Sequence, residues 1–205
     1  PCRFFNTNAA DPERRRAVIE AIIEQLAADG GRVQVLVHSL AFGTLVPLVV
    51  GEGRPVTPKQ MEMTLDVMAH SLVYWAQDLV GQGLMGEGGR IFAMTSTGAR
   101  QVTPSYGAVS AAKSALESHC RQLAFELLPL GITANAICAG VTRTPALEKI
   151  PGHETLIAKS LAKSPLGRLT TPEDVAGAIA ACGDPRLHWM TGNVIGVHGG
   201  EEIIG

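Results

Sequence analysis

Apolar positions along this chain switch repeatedly between a helical spacing and short compact runs. Val18, Ile22, Ile23 and Leu26 recur every three to four residues behind Asp11-Pro12-Glu13. That spacing predicts an amphipathic helix capped by Asp11 and stopped at Gly30-Gly31. Val33 to His38 is a short apolar run that reads as a buried strand. Thr57-Pro58-Lys59-Gln60 has the form of a capping box and opens a long helix to about Val80. Arg90-Ile-Phe-Ala-Met-Thr-Ser96 reads as a strand behind Gly88 and Gly89. A helix from near Pro104-Ser105 to about Leu128 sets Leu116, Leu123, Ala124 and Leu127 on one stripe. Gly131 stops it, and Ile132 to Cys138 forms the next strand. Thr171-Pro172-Glu173-Asp174 starts a further helix that ends near Gly183, and Val194 to Val197 is the last strand. Strands alternating with helices predict an α/β fold whose parallel sheet is covered on both faces. The least periodic region is 144–169, which holds three prolines.

Composition narrows the function classes. A chain of 205 residues is expected to form one domain with a sizeable core. A net charge of −2 favours neither nucleic acid nor an anionic membrane as partner. No apolar run is long enough to span a bilayer. The chain begins at Pro1 without a signal-peptide pattern. Cys2, Cys120, Cys138 and Cys182 lack metal-type pairing and read as buried or free thiols of a reducing cytosol.

The chemistry concentrates between residues 96 and 113. Ser96, Tyr106 and Lys113 place a hydroxyl, a phenol and an ammonium at fixed spacing where a strand gives way to a helix. Seven positions separate Tyr106 from Lys113, about two helical turns, so both are expected on one face. A cation held beside a phenol would lower its pKa and make it a better proton donor near neutral pH. The other tyrosine, Tyr74, lies mid-helix among Leu72, Val73 and Trp75 and reads as a packing residue.

These residues resemble the short-chain dehydrogenase/reductases, and within them the enoyl-acyl-carrier-protein reductase branch. Common members place the tyrosine four residues before the lysine; here that position is Ser110, and the longer Tyr106-x6-Lys113 gap marks the enoyl reductases. The resemblance implies a Rossmann-like doubly wound parallel sheet and NADH or NADPH as cofactor. It assigns Tyr106 as the donor to the substrate oxygen and Lys113 as the ligand of the nicotinamide ribose. Ser96 either shares the carbonyl hydrogen bond or caps the strand end. Val35-Leu-Val-His-Ser-Leu-Ala-Phe42 matches the segment whose serine and next two residues, here Ser39, Leu40 and Ala41, line the adenosine and ribose. Ala134-Asn-Ala-Ile-Cys-Ala-Gly140-Val-Thr-Arg-Thr144 matches the strand end at which Thr142 and Thr144 would meet the carboxamide. Val141 and Thr142 replace the usual proline and isoleucine there, and His198 replaces an aspartate near the end of the chain. Asp66 aligns with a proton-relay asparagine of common members and reads equally as a solvated carboxylate.

A dinucleotide fold of this type opens with a strand, a Gly-rich turn and a helix. No such turn stands before residue 30, and Arg3-Phe-Phe-Asn followed by the Asp11 helix resembles the third strand and its crossover. The fold is therefore expected to be N-terminally incomplete. The residue that separates NADH from NADPH would lie in the absent part.

Reduction of a double bond conjugated to a thioester builds negative charge on the thioester oxygen, which a positioned hydroxyl stabilises as an oxyanion hole does. The expected substrate is an enoyl thioester on acyl carrier protein or coenzyme A. Two other readings stay open: a 3-oxoacyl or other carbonyl reductase, against which the tyrosine spacing speaks, and a non-catalytic scaffold. Residues 144–169 would form a flap over an acyl chain, or an ordinary surface helix pair. The resemblance also implies a cytoplasmic homotetramer that pairs helices 57–80 and 105–128, where Ala69, Ala108, Ala111, Ala112 and Ala115 would allow close contact.

Overall fold

The computed structural model describes residues 2–203. Helix α1 (Pro12–Asp29) begins where the Asp11 carboxylate accepts from the amides of Glu13 and Arg14, and ends where Gly30 turns left-handed at φ 64°. The Thr57–Gln60 capping box forms as expected and opens α2 (Pro58–Leu65). This helix runs through one π-helical segment, Asp66–His70, into α3 (Ser71–Gly81). Helix α4 spans Gly107–Leu127, α5 His153–Lys163 and α6 Pro172–Cys182, the last behind a second capping box, Thr171 with Asp174.

The strands β1 (Val35–His38), β2 (Arg90–Thr95), β3 (Thr133–Ala139) and β4 (Val194–Val197) pair in chain order, all parallel. Val35 stands beside Arg90, Arg90 beside Thr133, and Ala136 beside Val194. Helices in every crossover are what parallel pairing requires. Period-two alternation sends Ile91, Ala93, Ala134 and Ala136 into one core with Leu72, Ala76, Leu79, Leu116 and Leu123 from α3 and α4. Helix α4 is the hub, packing against β2, β3 and the π segment.

Four expectations shift. Residues 3–6 form no strand, and Phe4 is 85 % exposed, because nothing among the described residues pairs along that edge. The sheet is not evenly covered: β2 and β3 are buried through almost their whole length, but Val35 and Val37 of β1 are 38 % and 44 % exposed. Helix α4 starts at Gly107, two residues later than the pattern suggests, because Ser105 adopts φ 59°. Ala69, Ala108 and Ala112 are fully buried inside the protomer, where their small size lets α4 approach its neighbours. These three offer no surface to a second copy, whereas Ala111 is exposed and Ala115 half-buried.

Packing at the hub gives a stability contrast. Leu116→Ala, at a site with 0 % exposure, is expected to lose about 2–5 kcal/mol of unfolding free energy. Val102→Ala, at a fully exposed position, is expected to stay within about 0.5 kcal/mol of the parent. Urea unfolding of both variants measures the difference.

Candidate active site

The carboxyl ends of β1, β2 and β3 open into one cavity of about 500 Å³. An open parallel sheet binds ligands at this edge, where the loops leave the strands. Of the residues singled out in the sequence, Ser39, Ala41, Ser96, Tyr106, Lys113, Thr142 and Thr144 all line it. Leu40 contributes only its carbonyl, and its side chain is not part of the wall.

Lys113 projects from α4 and is 5 % exposed. Its ammonium donates to the carbonyl of Met94 at 2.7 Å and to that of Leu40 at 3.2 Å. An ammonium carries three N–H groups, so one remains for a ligand in the cavity. Burial pulls its pKa down to about 8. His38, at the end of β1, is driven down to about 4 by burial and then by the nearby Lys113 charge, so its imidazole is neutral. Its Nε2 lies 2.8 Å from Ser71 Oγ, which itself donates to the Val67 carbonyl. Ser71 must therefore accept, and His38 carries its proton on Nε2. His38 is a packed strand-end residue.

Tyr106 precedes the first turn of α4 instead of sitting on it, although its carbonyl accepts the first helical bond from the Ser110 amide at 2.8 Å. The electrostatic expectation is reversed. Burial pushes the phenol pKa above its ordinary value, the adjacent Ser96 hydroxyl only partly opposes this, and Lys113, turned toward the carbonyls, does not lower it. Tyr106 is thus a neutral O–H donor at neutral pH. Ser96 Oγ is buried beside it with no hydrogen-bond partner in good geometry, an orphaned group facing the cavity.

Beyond β3, Thr142 donates its hydroxyl to the Gly140 carbonyl at 3.0 Å and keeps lone pairs free. Thr144 Oγ1 instead accepts from the Leu147 amide at 3.2 Å, which leaves its O–H free to donate. Buried Glu201 receives the Val141 amide at 3.0 Å and fixes this turn, a role that no local motif announced. Thr142 and Thr170 form an isolated parallel bridge, so the two ends of the intervening segment are pinned together. Ala146, Leu147, Ile150 and Leu156 from that segment form an apolar wall. Pro172, Val175, Ala176 and Ile179 of α6 complete it. Sequence reading missed the α6 stripe because apolar residues at helical spacing look the same whether they face a core or a cavity.

Several other polar residues have structural partners or lie outside the wall. Asp66 accepts from the Tyr74 hydroxyl at 2.9 Å, and neither lines the cavity. Thr95 lines the floor, but its hydroxyl donates to Glu117 at 2.8 Å. Ser110 is a helix residue outside the wall. His198 packs so closely on Gly196 that a Cβ there would fall 2.5 Å from its Nε2. All four cysteines are unpaired, and burial pushes Cys120 and Cys138 to about 12.

Parallel sheet, strand-end cavity and the Ser96, Tyr106, Lys113 trio define a doubly wound α/β protein with its site at the carboxyl edge. Comparison with known proteins fixes the family. The model of the enoyl-(acyl carrier protein) reductases matches residues 2–202, and the chain belongs to that family, within the short-chain dehydrogenase/reductases. The NADH-type enoyl-acyl-carrier-protein reductase FabI of Nostoc sp. is 30 % identical over 205 residues, 100 % of this chain and 77 % of that protein. Its counterpart in Synechocystis sp. is 30 % identical over 189 residues, 92 % of this chain and 72 % of the relative. The crystal structure of the NADH-type enzyme from Aquifex aeolicus superposes with a TM-score of 0.81 at 28 % identity, covering 96 % of this chain and 74 % of that one. The enzyme from Anaplasma phagocytophilum, solved in complex with NAD, gives 0.82 at 26 %, covering 96 % and 70 %.

The buried ammonium makes a prediction for stability. At pH 7 Lys113 is charged in both folded and unfolded chains, and its burial disfavours the folded one. The folded group releases its proton near pH 8 and the unfolded one near 10.5. Between those values the unfolded chain binds more protons, so stability rises with pH. Lys113→Met is expected to be more stable than the parent by about 1–3 kcal/mol at pH 7. That advantage should shrink from pH 8 to 10.5, as urea unfolding at several pH values would show.

Proposed function

We propose that this chain reduces the 2,3 double bond of an enoyl thioester carried on acyl carrier protein, with NADH as reductant, in fatty-acid synthesis. The observation that carries this reading is one cavity holding a neutral phenol, a buried ammonium and two complementary threonine hydroxyls against an apolar wall. NADH is chosen because the relatives at 30 % identity are named as NADH enzymes.

The residues present fit the nicotinamide and ribose half of a dinucleotide. Lys113 has one N–H left for ribose hydroxyls, and Ser39 and Ala41, given by the resemblance to the adenosine and ribose part, line the same cavity. A carboxamide needs both an acceptor and a donor opposite it: Thr142 supplies lone pairs and Thr144 an O–H. A reduced nicotinamide supplies hydride when bound. The chain supplies the rest. As charge develops on the thioester oxygen, the Tyr106 O–H donates to it, which requires the phenol to keep its proton. Its raised pKa supports that donor state through neutral and mildly alkaline pH. Ser96, whose buried hydroxyl has no partner in good geometry, shares the bond in this reading. Residues 144–169 act as a flap whose apolar side chains exclude water from the reacting carbon, anchored at the Thr142–Thr170 bridge. A cytoplasmic homotetramer is the assembly this reading carries with it; no helix among the described residues is long and apolar enough to cross a membrane.

The test is oxidation of NADH and of NADPH by the protein expressed from its whole reading frame, offered a 2-enoyl thioester and, separately, a 3-oxoacyl thioester. Turnover of NADH with the enoyl substrate alone is expected. Preference for the oxo substrate would move the chain to carbonyl reduction, and silence with both would favour a scaffold. Tyr106→Phe should lower kcat by about 100-fold or more with folding preserved. Affinity for NADH should weaken as pH rises through about 8, where Lys113 loses its charge, and fluorescence titration would follow it.

A further inference from the structure

Because Tyr106 stands one residue ahead of α4, the helix alone does not fix its ring. Ser105 is the only non-glycine residue with positive φ among the described residues, at 59°, and this turn delivers Tyr106 toward the short helix Thr97–Ala99. Buried Gly98 lies in that helix. A Cβ at residue 98 would fall 2.5 Å from Tyr106 Cε1, 3.1 Å from Cδ1 and 3.2 Å from Ser96 Oγ. The ring edge therefore fills the space of the side chain that residue 98 lacks. Gly98 does not occupy the left-handed region, so close approach and not backbone conformation requires glycine here. Its Cα backs the phenol ring at the point where Ser96 Oγ also converges.

We propose that Gly98 is a positioning residue for Tyr106: the missing side chain seats the phenol ring at the depth from which its hydroxyl meets the substrate oxygen. This rests on Tyr106 being the donor in the proposed reaction. A methyl group at 98 would displace the ring or the 97–99 turn, and displacement of a reacting group by about 1 Å costs up to 100-fold in rate.

The experiment compares Gly98→Ala, Tyr106→Phe and the double variant with the parent, using NADH and a 2-enoyl thioester. Gly98→Ala is expected to lower kcat by about 10- to 100-fold with KM for NADH within about twofold. In the Tyr106→Phe background, where no phenolic proton remains to misplace, it should cost nothing further in kcat. Thermal melting supplies a readout independent of turnover. Any fall in Tm from Gly98→Ala should vanish in the Tyr106→Ala background, where the ring is gone, and this comparison decides the matter if Gly98→Ala alone fails to fold. A kcat for Gly98→Ala within twofold of the parent, an additive loss with Tyr106→Phe, or a Tm deficit that persists with Tyr106→Ala would each overturn the proposal. An inactive parent would overturn the functional reading instead, while the melting comparison would still test the seat of the ring.

Discussion

The ammonium of Lys113, held by the carbonyls of Met94 and Leu40, joins helix α4 to the end of β2 and to the loop that leaves β1. A charge this deeply buried is costly unless hydrogen bonds replace lost water. Two carbonyls replace part of it, and burial still pulls the lysine pKa down. The same bonds fix where α4 lies along the strand ends. Lys113 therefore stands over the cavity floor between the ends of β1 and β2.

Burial then acts on the two titratable groups in opposite senses. It pulls a proton away from the lysine and holds one on the tyrosine. Environments that push pKa values apart are how one cavity keeps both a cation and a neutral acid. Here the gap between an ordinary lysine and an ordinary tyrosine is inverted: the lysine, near 8, is the more acidic group. Burial keeps the phenol protonated through neutral pH.

The wall of the cavity comes from segments far apart in the chain. The apolar residues of 146–156 and the stripe 175–179 face the same space because the Thr142–Thr170 bridge folds the intervening segment back on itself. Glu201, almost at the end of the described chain, holds the Val141 amide and so orients the two threonines on either side of Arg143. These long-range contacts turn a strand end into a shaped pocket.

Much was legible in the chain because local rules govern it. Asp11, Thr57 and Thr171 announce helix starts through bonds to amides two or three residues away. Compact apolar runs announce strands, and the Tyr106-x6-Lys113 spacing announces the family. The tertiary structure alone decided the rest. It placed Tyr106 before the helix and turned Lys113 toward carbonyls. It raised the phenol pKa that a nearby cation was expected to lower, directed Ala69, Ala108 and Ala112 inward, and gave the α6 stripe to the cavity. The physical reason is the same in each case: caps and periodicity depend on neighbours a few residues apart, whereas burial, the largest influence on these groups, is the sum of elements that meet only when the chain has folded.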